Sequence, residues 1–127
     1  MRFFMAALML GCVAAAQAVE WVEVSQISHN VREVDKSSIR GAKPILSFTS
    51  RHVIDDGNEL KVGRLAVKYL VMEQRVDCAK RTNLMLSSEA QRADGSAISK
   101  QQLLASEAVG VLEGSVDEDV LKYVCAQ

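Results

Sequence analysis

Once its first eighteen residues are set aside, this chain holds two cysteines, Cys78 and Cys125, and that pair limits its folds more than any other feature. The case for setting them aside lies in their order. Arg2 supplies one positive charge, Phe3 to Leu10 carries none, and Gly11–Ala16 continues the apolar run to Ala16-Gln17-Ala18, with Val19 and Glu20 beyond. A basic end, an apolar run and small residues at a cleavage point make a secretory signal peptide, here residues 1–18, cut between Ala18 and Val19. The apolar run falls short of the roughly 20 residues a bilayer span takes, and no later run is long enough, so no transmembrane segment is expected.

Cys12 lies inside this segment. A bacterial lipoprotein signal needs a Leu-like residue, a small residue and then Gly or Ala before its cysteine. Met9-Leu10-Gly11-Cys12 fits well only at Gly11, and the apolar run continues past Cys12. Cleavage after Ala18 discards Cys12. The alternative keeps it as the lipid-bearing residue of an outer-membrane lipoprotein. Either way the domain is exported, to the periplasm or beyond.

Removing 18 of 127 residues leaves 109, spanning 19–127, with fourteen basic side chains (Arg2 being lost) against sixteen acidic ones. That is one domain with a modest core. A formal net charge of −2 gives no electrostatic case for nucleic-acid binding or for a polybasic membrane contact.

An even cysteine pair in a small exported domain reads as a disulfide, Cys78–Cys125. Closing a loop of about 48 residues stabilises by roughly 4 kcal/mol on the chain-entropy estimate. Against a typical total of about 5–15 kcal/mol, that is a large share. Two lone cysteines without CxxC or a nearby histidine pair lack zinc spacing. Catalytic dithiols usually sit closer in sequence.

The patterning is that of strands. In VEWVEVSQ, Val22 and Val24 alternate with Glu23 and Ser25, and His29 to Asp35 makes a second short strand around Val31. Asp35 to Ile39 carries turn-favouring residues, then Gly41 and Pro44 precede a strand whose Leu46, Phe48, His52 and Ile54 share one face. Asp56-Gly57 reads as a tight turn before a long return strand from Leu65 to Cys78. That strand is apolar on one face early (Leu65, Val67, Tyr69, Val71) and on the other later (Leu70, Met72, Val76, Cys78). Such a switch predicts a central strand covered on both sides, or a bulge. TNLMLSSEA follows, and Asp94-Gly95 marks another hairpin.

The period changes at the end. Ser115 followed by Glu118 is a capping-box pattern, with Asp117 and Asp119 favoured in the first turn by the helix dipole. Val116, Val120, Leu121 and Val124 then form one helical stripe with Cys125 at its edge. The fold class is therefore α+β: an antiparallel sheet with a C-terminal helix on one face.

No catalytic constellation emerges. His29 and His52 have no partner at ligand spacing, and His52 reads as a hydrogen-bonded, partly buried histidine. Asp55, Asp56, Asn58 and Glu59 lack the periodicity of a calcium loop. No serine lies in a G-x-S-x-G elbow and there is no Gly-rich phosphate loop. Glu23, Glu33 and Asp35 read as the outer face of a sheet, and Arg75, Lys80 and Arg81 as a solvated strand end. No catalytic, cofactor-binding or metal-binding residue is assigned, and no enzyme is expected.

The order of landmarks carries a resemblance. Trp21, then Val34-Asp35-Lys36-Ser37-Ser38-Ile39, a strand pair, Val76-Asp77-Cys78, and a close on Gly114-Ser115, Glu118 and Val124-Cys125 is similar to the surface-adhesin protein E family of small exported bacterial domains. The resemblance covers nearly all of 19–127. It implies the same sheet, with the helix tied down by Cys78–Cys125, and a non-enzymatic role binding a protein partner. Named members of that family attach to host extracellular-matrix proteins. The alternative is a soluble periplasmic interaction protein, an inhibitor or immunity protein with a bacterial partner.

Overall fold

The alternating stretches do pair as strands in a computed structural model that describes residues 18–55, 60–103 and 107–127. β1 (Trp21–Ile27) and β2 (Asn30–Asp35) are joined by a two-residue turn at Ser28 and His29. A 3-10 turn, Lys36–Ser38, leads to β3 (Arg40–Ala42), which folds back on the start of β4 (Ile45–Val53). β5 (Leu60–Val62) and β6 (Leu65–Val67) form a separate two-stranded ribbon. β7 (Tyr69–Asp77), β8 (Thr82–Gln91), β9 (Ala97–Gln102), β10 (Val109–Gly110) and the helix α1 (Val116–Cys125) complete the chain. The main sheet runs β1-β2-β4-β7-β8-β10, with β3 also beside β4 and β9 also beside β8.

The expected helix forms for the expected reason. Ser115 caps it, its hydroxyl accepting the Glu118 N–H at 3.2 Å, with three carboxylates in the first turn. The reciprocal half of the box differs: Glu118 Oε1 accepts from the Gly114 N–H at 3.3 Å, one residue upstream of the cap. Val120, Leu121 and Val124 are buried against Val34, Leu46, Phe48 and Val76 of β2, β4 and β7. Truncating a buried leucine such as Leu121 to alanine costs about 2–5 kcal/mol at sites of this kind. Within the same layer Ser50 donates its hydroxyl to Gln74 Oε1, and Gln74 Nε2 donates to Asn83 Oδ1 at 3.3 Å, so these buried polar groups are paired. Cys78, just past β7, is bonded to Cys125 in the last turn of α1, with Cα atoms 5.9 Å apart.

Four expectations are corrected in detail. The return strand is two strands, β6 and β7, because pairing changes partner at Lys68: β6 pairs with β5, whereas β7 pairs with β4 and β8. β7 is central, as the apolar switch predicts, but α1 covers only one of its faces, and Tyr69 and Val71 lie on the other. Its register break sits between Glu73 and Gln74, where β8 contributes the extra residue. On β1, a break between Glu23 and Ser25 makes Val24 the unpaired residue and turns Ser25 inward, where its hydroxyl donates to Asp119 Oδ2 at 2.6 Å. Asp35 is buried rather than on an outer face: its Oδ1 accepts from the Glu20 N–H, the Ser37 N–H and the Ser37 hydroxyl. The Asp56-Gly57 turn lies outside the described residues. A two-residue reversal is seen at Gly63-Arg64, between β5 and β6, with Gly63 in the left-handed region. Asp94-Gly95 does form the β8–β9 hairpin, Asp94 Oδ1 accepting from the Ser96 N–H at 2.9 Å.

Candidate functional site

With α1 on one face, the opposite face of β1, β2, β4 and β7 is left without a covering element among the described residues. Cross-strand register places Glu23, Glu33, Arg51 and Val71 in one row and Val31, Val53 and Tyr69 in the next. Trp21 stands at the start of β1 on the same side. The rows converge on Arg51. Its guanidinium carbon lies 4.2 Å from the Trp21 ring centroid and 4.1 Å from that of Tyr69, so the cation is stacked on two rings. Its Nε–H donates to Glu33 Oε1 at 2.9 Å, and each of these two side chains is 18% exposed. The ion pair also offsets the like-charge pairing of Glu33 with Glu23 directly across β1.

This surface has the composition of a recognition site. Trp, Tyr and Arg are the residue types most enriched at interface hot spots, the two aromatics because they offer large area with few rotamers to fix and arginine because its planar fork both stacks and donates. Here the three are already fixed in one stack, bordered by half-buried Val31, Val53 and Val71. The cluster was not anticipated from sequence. Arg51 and Tyr69 share odd parity, opposite Leu46, Phe48 and Leu70, and that parity was the available signal.

The two histidines border one groove of about 340 Å³, at the β1–β2 turn end of the other face, with Asn30, Ile54, Leu60 and Leu70. His29 Nδ1 is 3.4 Å from Asp55 Oδ2, both exposed. Burial, reinforced by the nearby Arg32 cation, lowers the His52 pKa below its ordinary value. Burial likewise lowers the Arg32 pKa, against the attraction of Asp117, whose Oδ1 is 3.8 Å from Arg32 Nη1. Arg32 Nε and Asn30 Oδ1 are buried without a hydrogen-bond partner. Among the described residues no group of three or more His, Cys, Asp or Glu side chains is placed to hold a metal. Of Asp55, Asp56, Asn58 and Glu59, which lack calcium-loop periodicity, only Asp55 is among the described residues.

The basic trio divides. Arg81 pairs with Glu118 at 2.7 Å, which reaches Lys122 at 3.3 Å on its other oxygen, while Arg75 and Lys80 are exposed. The Gly114 N–H first, then Lys122 and Arg81, hold the Glu118 carboxyl below the usual range, against burial. No described helix is long and apolar enough to cross a membrane.

Fold and site together define a small α+β domain: an antiparallel sheet, one helix bolted to it by a disulfide, and a free sheet face. Neither a family model nor a curated protein matches the chain. Solved structures with a similar architecture include those of Haemophilus influenzae protein E. Its crystal form II superposes with a TM-score of 0.60 at 10% identity, covering 87% of this chain and 97% of that one. A second protein E structure gives 0.59 at 11% identity, over 84% and 93%. Protein E from non-typeable Haemophilus influenzae gives 0.54 at 10% identity, over 87% and 86%. At such identities the likeness establishes a protein E-like fold, as the spacing of landmarks anticipated.

Proposed function

We propose that this chain is an exported, non-enzymatic domain that binds a protein partner through the helix-free face of its sheet. In this proposal the leader, residues 1–18, is removed between Ala18 and Val19, and the domain of residues 19–127 works in the periplasm or outside the cell. The observation that carries the binding role is the Trp21–Arg51–Tyr69 stack, an ordered cluster of hot-spot residue types on a face no described element covers. The disulfide supports an oxidising compartment. The protein E-like fold and the resemblance of the sequence support a surface-binding role, with host extracellular-matrix proteins as the partner class.

The test is saturable binding of the exported protein to immobilised laminin and vitronectin, compared with Trp21→Ala and Tyr69→Ala. Binding that both substitutions weaken at least about tenfold, as loss of a hot spot predicts, supports the assignment. Binding no better than to an unrelated control protein overturns the matrix partner. Binding that neither substitution changes overturns the face.

A further inference from the structure

At the end of the sheet away from the β1–β2 turn, a cleft of about 560 Å³ opens beside the 3-10 turn and the β3–β4 hairpin. Three exposed cations border it, Lys36, Arg40 and Lys43, and Ile39 and Leu46 supply its apolar lining. None of the three has an acidic partner among the described residues, whereas Arg32, Arg51, Arg81 and Lys122 each do. The carboxylate next to Lys36 in sequence is no counter-ion for it. Asp35 is buried, with Oδ1 committed to the Glu20 and Ser37 N–H groups at 3.0 and 3.1 Å and to the Ser37 hydroxyl at 2.6 Å. So in a chain of formal net charge −1, three cations without an acidic side-chain partner among the described residues border one cleft, beside Gln127.

Their placement is built by the local fold. The Asp35 cap fixes the 3-10 turn that carries Lys36. The Ser38 hydroxyl ties that turn to β4, donating to the Asp35 carbonyl at 2.6 Å and accepting the Thr49 N–H at 2.8 Å. Arg40 pairs with Ser47 across the β3–β4 ladder, and its Nη1 donates to the Ser38 carbonyl at 3.3 Å, leaving the other donors of the fork uncommitted. Gly41 has φ +109°, and a Cβ there would stand 2.8 Å from the Ile45 carbonyl oxygen, so only glycine lets β3 lie this close to β4. Lys43 sits in the turn that follows.

We propose that this cleft is a binding site for a phosphate-type oxyanion. A compact, doubly charged tetrahedral group matches three cations around one cleft, and an arginine fork presents paired donors to its oxygens. Ligand sites commonly enclose about 300–1,000 Å³, so the cleft has room for the group that bears the phosphate, either a small soluble molecule or a lipid headgroup.

The experiment titrates the exported protein with inorganic pyrophosphate by calorimetry, and separately with phosphatidylcholine vesicles with and without phosphatidic acid. Both are run at low ionic strength, since screening acts over about 10 Å at 0.1 M salt. Saturable binding of pyrophosphate, weakened about tenfold or more by Arg40→Gln and abolished when Lys36→Gln and Lys43→Gln are added, is the expected result. The control pair Arg64→Gln with Lys100→Gln, in the β5–β6 turn and on β9, retains full binding. Binding to phosphatidic acid vesicles alone, lost in the same triple variant, also supports the site and makes the source a lipid headgroup. Absence of binding to both ligands, or equal loss in the control pair, overturns the proposal. All the substituted residues are exposed, so melting temperatures should stay within a few degrees of the parent. If the triple variant fails to fold, Arg40→Gln and the amide shifts of Gly41 and Lys43 on titration decide the question.

Discussion

Replacing Arg51 by alanine withdraws a cation from between two rings and from one carboxylate, and the cost can be worked from the contacts it makes. The ring distances of 4.2 and 4.1 Å are both within cation–π range. On a half-buried surface each such contact contributes about 0.5–1 kcal/mol. The Glu33 pair, at 2.9 Å and 18% exposure on both sides, is partly screened. It adds about 0.2–1 kcal/mol. Arg51→Ala should therefore destabilise by about 1–3 kcal/mol, and a loss of 2 kcal/mol would lower Tm by about 8–16 °C in a domain of this size. Arg51→Lys keeps the charge but not the planar group, so it should recover less than half of the loss. Urea unfolding followed by fluorescence is the assay, and Trp21 is the chain's one tryptophan, so the probe belongs to the stack itself. A loss below about 0.5 kcal/mol, or a lysine variant that matches the parent in stability and emission, would refute the stacking account.

Other outcomes follow from the same contacts. Cys125→Ser opens a bridge of sequence separation 47. It should cost about 4 kcal/mol, seen as a lower guanidinium midpoint, and equal stability of reduced and oxidised protein would contradict this. Because the folded Glu118 pKa is lowered, its contribution is present above the ordinary value of 4.5 and is lost as pH falls through the folded value. Glu118→Gln should thus lower stability at neutral pH and flatten the acid limb; parallel pH curves would count against it. His52 also has a lowered pKa, so the stability it gives is complete above the ordinary 6.5 and falls as pH drops below it. His52→Gln should flatten stability between about pH 5 and 7, measured by thermal melts across that range.

Local signals made much of the fold legible. Ser115 and Glu118 start α1 where the capping pattern places it, and the stripe of Val120, Leu121 and Val124 is the face that is buried. Strand parity sorted Leu46 and Phe48 onto the core side. Register was another matter, since it depends on where the chain reverses. Alternation along each strand assigns faces but does not place Arg51 opposite Val71. Without that register neither the meeting of Arg51 with Tyr69 nor the row from Glu23 to Val71 can be read. The same holds for Lys36, Arg40 and Lys43, which look like scattered surface charges until β3 folds back on β4. Asp35 was misplaced because alternation along β2 assigns it a face but says nothing of the 3-10 turn that folds over it.

The nine residues of β7 are each paired on both sides, with β4 along one edge and β8 along the other. Amides held in this way open only when the surrounding strands come apart, so they should be the last to exchange with solvent, while those of β1 and β9 exchange early. Cys78 lies one residue beyond that strand and moors α1 to it. The helix is thus fastened to the slowest part of the molecule, and the rim strands can fray without casting it loose.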